Sequence, residues 1–162
     1  MLWRARSAGD SGPTAARVGE RRRTVEDEKF AIVLFSGTVD KLMAAMTLVA
    51  GAAAMDKKVT LFLTFGGVIA FRKDAWKTNT TFSKDFEPYA GVALEMMQVK
   101  KVPAWMDVLQ QAMEVGEVQV VACGATMDLF DMQLSDLEPV VSEITGVATF
   151  IQAAEGGTTL FI

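Results

Sequence analysis

The chain holds a single cysteine, Cys123, inside the stretch EVQVVACGATMDLF at residues 117–130. The run before it is built of β-formers and the residues after it suit a helix start, which places a lone thiol at a strand-to-helix junction. The first helical amides, on Gly124, Ala125 and Thr126, would then lack intrahelical partners and face back toward the sulfur. A free thiol titrates near ~8.5, and helix N-termini lower that to ~3.5–7.5, so the expected chemistry is that of an activated thiolate nucleophile. The competing reading is a small buried hydrophobe with no chemistry at all.

The rest of the composition narrows the chemistry by exclusion. The chain has no histidine, which removes Ser-His-Asp and Cys-His catalysis, imidazole-ligated metals and a histidine pH switch. One cysteine cannot close an intrachain disulfide, and no secretory apolar segment opens the sequence, so a reducing, cytoplasmic setting is expected. Neither a metal nor an organic cofactor is called for. The turn SGT at residues 36–38 lacks both the GxGxxG and the GxxxxGK[ST] pattern of nucleotide sites.

A thiol at a junction acts only if a fold holds it there. With 162 residues, 51% of them hydrophobic, and a mean hydropathy of +0.26, the chain has material for one well-filled domain. Residues 1–28 differ in composition: they are arginine-rich, carry Gly, Pro and Ser, and lack an apolar period, so they read as a disordered basic tail. Within residues 1–23, six arginines against Asp10 and Glu20 leave +4, so the remainder carries −8 against the whole-chain −4. That acidic remainder, residues 24–162, argues against nucleic acid as a partner of the domain at residues 29–162.

The apolar run at residues 30–35 predicts a strand buried on both faces, followed by a helix over 40–55 and a second strand over 59–65. The helix is too short for a bilayer, which needs ~20 apolar residues. The pair Gly66-Gly67 reads as a break in regular structure. Residues 70–101 read as a partly helical excursion whose options include a lid, an oligomer contact and a membrane-interfacial segment. A strongly amphipathic helix is predicted over 103–115, then strand three with Cys123, a short helix over 125–132, a strand over 139–144, a helix over 147–154 and a last strand over 158–162. Strands alternating with helices predict a three-layer α/β/α fold with a five-stranded, mostly parallel open sheet. Such sheets gather ligand sites at the carboxyl ends of their strands. The turns at residues 36–38, 65–67, 123–124 and 145–146 should therefore share one rim.

The blocks SGTVDK (36–41), LFLTFGG (61–67), VPAWMDVLQQAMEVGEVQVVACGATMDLF (102–130) and GVATFIQAAEGGTTLFI (146–162) resemble the DsrE/DsrF-like sulfur-relay family. The resemblance covers nearly everything from Phe30 onward, with the AC-x-x-[ST]-M block the most specific part. It implies an α/β/α subunit of a homo- or hetero-oligomer, and the chain's apolar content and nearly all-apolar helix over 42–55 point to a homo-oligomer, trimeric or dimer-based. It also implies that Cys123 carries sulfane sulfur as a persulfide or bound thiosulfonate, exchanged with rhodanese-like or TusA-like donor and acceptor proteins. Thr38, Gly66 and Thr126 are candidate donors to an anionic adduct beside Gly124 and Ala125, with turn and cap roles as their alternatives. Two other functions use the same inventory: a thiol peroxidase or sulfenic-acid sensor built on Cys123, and an oligomeric interaction domain in which the thiol is inert.

Overall fold

The computed structural model describes residues 29–162; the arginine-rich stretch 1–28 lies outside the described residues. Five strands form one sheet: β1 (Lys29–Leu34), β2 (Lys58–Leu63), β3 (Val118–Cys123), β4 (Val141–Thr145) and β5 (Thr158–Phe161), in the order β4-β3-β2-β1-β5. All four pairings are parallel. Leu34, Leu63, Ala122 and Ile144 stand side by side in register, so the carboxyl ends of β1 to β4 reach one rim together.

One face of the sheet is thickly covered. Helix α1 (Val39–Ala54) turns Val39, Leu42, Ala45, Met46, Val49, Ala52 and Ala53 inward, and α5 (Trp105–Val115) adds Trp105, Met106, Leu109 and Ala112. These spacings follow the helical period, and burying each large apolar side chain contributes roughly 1.5–3 kcal/mol. The small residues of α1 allow close approach to α5: a methyl added at Gly116 would already sit 3.0 Å from the Ala53 Cβ.

The opposite face carries a smaller cluster, Ala31, Phe62, Val121, Cys123, Phe150 and Ala154, of which Phe150 and Ala154 come from α7 (Val147–Ala154). Phe62 and Phe150 stack with centroids 4.6 Å apart. Helices on both faces of an all-parallel sheet make the three-layer α/β/α fold that the pattern predicted.

The excursion is more ordered than its composition implied. The Gly66-Gly67 pair opens a helix, α2 (Gly66–Ala70), instead of breaking structure. The reason is steric: a Cβ at Gly67 would lie 2.2 Å from the Leu34 carbonyl oxygen, so glycine lets this turn pack directly on the end of β1. Short α3 (Ala75–Thr78) follows, then a 3-10 turn at Glu87–Tyr89 and α4 (Ala90–Val99). Among the described residues no helix is long and apolar enough to cross a membrane.

Candidate functional site

Cys123 is the last residue of β3 and the residue before α6 (Gly124–Leu129), paired in register with Thr145 of β4. The junction is where the sequence placed it; the direction of the side chain is not. Alternation along β3 sends Val120 and Ala122 to the thick face and Val121 and Cys123 to the thin one. α6 returns over the thick face, where Met127 joins the main core. The sulfur therefore points away from the helix that follows it and makes no capping hydrogen bond to the α6 amides. It is 6% exposed, in one apolar cluster with Val121, Phe62 and Phe150.

Gly124 and Ala125 form the first turn of α6. A Cβ at Gly124 would make ordinary contacts, 3.6 Å to Ile144 Cγ2 and to the Thr145 carbonyl oxygen. Thr126 is buried and already engaged: its hydroxyl lies 3.1 Å from that of Thr64 and accepts the Phe65 N–H at 3.3 Å. The Thr126 hydroxyl thus joins α6 to the β2–α2 turn. Phe65 needs that support, since its backbone adopts φ 43° and ψ −114°, a combination that side chains other than glycine rarely take.

Thr38 and Gly66 do not join Cys123. Both line an open cleft of about 570 Å³ with Phe65, Ile69, Asn79 and Phe130, and the thiol is not part of that lining. Thr38 serves the turn before α1, its hydroxyl 3.0 Å from that of Ser36. Gly66 lies against the Ser36-Gly37 backbone, where an added Cβ would be 2.8 Å from the Gly37 nitrogen. The N-terminus of α1 is closed by residues 79–83. Thr81 offers its carbonyl to the Val39 N–H at 2.8 Å, while Ser83 donates to the Asp40 carboxylate from its backbone N–H at 2.9 Å and its hydroxyl at 2.6 Å. Partial burial alone would raise the Asp40 pKa, but the Ser83 hydroxyl and backbone N–H, the Thr38 hydroxyl and its own amide outweigh it, so the carboxyl titrates below the usual range.

The site residue that sequence reasoning missed is Phe150. It shares the thiol's cluster and carries no chemistry of its own. Its only signal was the helical period of residues 147–154, which could not say which strand the helix would cross. No group of three or more His, Cys, Asp or Glu among the described residues is arranged to hold a metal ion.

The sequence profile of the DsrE/DsrF/DrsH-like family matches residues 26–93 and 85–161. The chain is 34% identical over 161 residues to the uncharacterized protein YrkE of Bacillus subtilis, covering 86% of this chain and 99% of YrkE. It is 28% identical over 160 residues to the sulfur carrier protein DsrE2 of Allochromatium vinosum, covering 85% of this chain and all of the relative, 100%. Its fold is similar to protein MTH1491 of Methanobacterium thermoautotrophicum, with TM-score 0.52, 16% identity and coverage of 84% and 100%. It is also similar to ychN of E. coli, with TM-score 0.50, 14% identity and coverage of 83% and 97%. An all-parallel α/β/α sheet and a profile match along nearly the whole described chain lead to one conclusion: the protein belongs to the DsrE/DsrF/DrsH-like family.

Proposed function

We propose that this chain is a sulfur carrier of the relay type, holding sulfane sulfur on Cys123 and passing it to a partner protein. The observation that carries the reading is the placement of the chain's lone thiol at the carboxyl end of a central parallel strand, on the rim where open α/β sheets keep their sites. Membership of the family, and a relative named a sulfur carrier, support the same assignment.

The chemistry is a sulfur exchange. The Cys123 sulfur attacks the terminal sulfur of a donor persulfide, a new S–S bond forms, the donor's own S–S bond breaks, and the departing donor thiolate takes the proton that Cys123 loses. The reverse sequence unloads the sulfur onto an acceptor thiol. A second thiol beside Cys123 would expel the cargo by closing a disulfide, and the chain has none. Donor and acceptor are rhodanese-like or TusA-like proteins in this reading, the site is cytoplasmic, and the carrier works as a homo-oligomer.

Burial of the sulfur sets a condition: exchange requires α7 to move off the cluster it covers. The same burial favours one other reading, an interaction domain whose thiol is an inert core residue. Intact-mass measurement after incubation of the full chain with a persulfide donor separates the two. A carrier gains one reducible sulfur at Cys123, and an inert core thiol gains nothing.

A further inference from the structure

Helix α4 is apolar yet contains no buried residue, which sets it apart from α1 and α5. Its half-buried residues, Ala90, Ala93, Leu94 and Met97, share the side turned to its own domain. On the opposite side Val92, Met96 and Val99 are 66%, 40% and 67% exposed, and Tyr89, the residue that caps α4 from the preceding 3-10 turn, is 63% exposed. Their spacing of three, four and three residues is that of alternating a and d positions, a narrow seam suited to a coiled-coil contact. Two charges border the seam. Glu95 precedes Met96 and falls at a g position; Lys100 follows Val99 and falls at an e position.

We propose that α4 is an association surface that packs against α4 of a second copy of this chain, the two helices side by side and parallel about a rotation axis. Charge decides both the occupant and the direction. In a parallel pair the g residue of one helix meets the e residue five places on in the other, which joins Glu95 to Lys100 of the second copy twice over. An antiparallel pair centred on the seam would bring Glu95 toward Glu95 of the second copy and leave Lys100 beside the other helix's uncharged start at Ala90, with no opposite charge to meet. A lipid surface would have to accommodate Glu95 at the very border of the apolar strip. A helix of ten residues is too short to associate firmly by itself, so the contact depends on the domain holding α4 already formed. The surface is separate from Cys123, so association and sulfur loading can be read independently.

The test uses the full chain in a Cys123→Ser background. Under mild oxidation Val92→Cys and, separately, Met96→Cys should each form a same-residue disulfide dimer. Glu95→Lys and Lys100→Glu should each weaken association about threefold in sedimentation equilibrium, and an equimolar mixture of the two should associate more tightly than either alone. Far-UV circular dichroism should match that of the Cys123→Ser background, because none of the residues altered on or beside α4 is buried. The proposal is overturned if neither cysteine variant cross-links to itself, or if the mixture associates no better than the single variants. It is equally overturned if the chain stays monomeric while Val92→Asp abolishes binding to anionic phosphatidylserine vesicles, which would assign the strip to a lipid surface.

Discussion

The hydroxyls of Thr126 and Thr64 lie 3.1 Å apart in the interior, and the Thr126 oxygen also accepts the Phe65 N–H at 3.3 Å. Three residues past Cys123, this contact fixes α6 to the end of β2 and holds Phe65 in its strained backbone conformation. Thr126→Val keeps the shape but strands a buried hydroxyl and a backbone donor, which costs about 1–3 kcal/mol per unsatisfied group. Chemical denaturation should show a loss in that range, with Thr126→Ser recovering most of it. Equal stability of wild type and Thr126→Val would contradict the role.

The glycines of the rim divide by what surrounds them. At Gly67 an added Cβ would lie 2.2 Å from the Leu34 carbonyl oxygen, and at Gly37 2.3 Å from that of Gly66, whereas Gly124 has ordinary clearance. Gly67→Ala and Gly37→Ala should lower stability by about 1–3 kcal/mol or more, the cost of forcing backbone apart, while Gly124→Ala should be nearly neutral. Thermal melts of the three variants check the contrast, and a Gly124→Ala loss as large as the others would refute the clearance argument.

Asp40 links α1 to residues 79–83, and its carboxyl is held below the usual range by the bonds described above. A depressed folded-state pKa contributes stability that is fully present above the unfolded value, near ~3.9, and is lost as the pH falls through the folded value. Asp40→Asn should therefore be less stable than wild type at neutral pH, and the gap should close below about pH 4. Denaturation of both proteins at pH 7 and pH 3 measures this; a gap that widens in acid has the wrong sign.

Phe150 shares the apolar cluster of the Cys123 thiol and stacks on Phe62. Phe150→Leu thins that cluster with a smaller packing loss than alanine would bring. Alkylation of Cys123 in the native protein should be slow in wild type and at least about tenfold faster in Phe150→Leu, as local opening becomes easier. Identical rates would mean that the thiol is reached by a route that does not involve α7.

Much of this architecture was legible in the residues. The double-sided apolar run of β1, the period of α5 and the bounds of α7 depend on local pattern, and the strand–helix alternation dictated a parallel sheet. The position of Cys123 at the end of β3 was legible for the same reason. Its direction was not. Which way the sulfur points depends on the pleat phase of β3 and on which face α6 and α7 return across, and both are set by packing between distant segments. Gly66-Gly67 misled because glycine usually signals a break, whereas here it serves close backbone approach at the start of α2. Thr38 and Gly66 were grouped with the thiol by sharing a rim; in three dimensions they line a separate cleft with Phe130.

The most direct test of the central claim is the intact mass of the full chain after incubation with a persulfide donor and removal of excess reagent. The account predicts a gain of one sulfur atom, reversed by a small-molecule thiol and absent from a folded Cys123→Ser variant. An unmodified mass for the folded wild-type chain, or the same gain in Cys123→Ser, would contradict it.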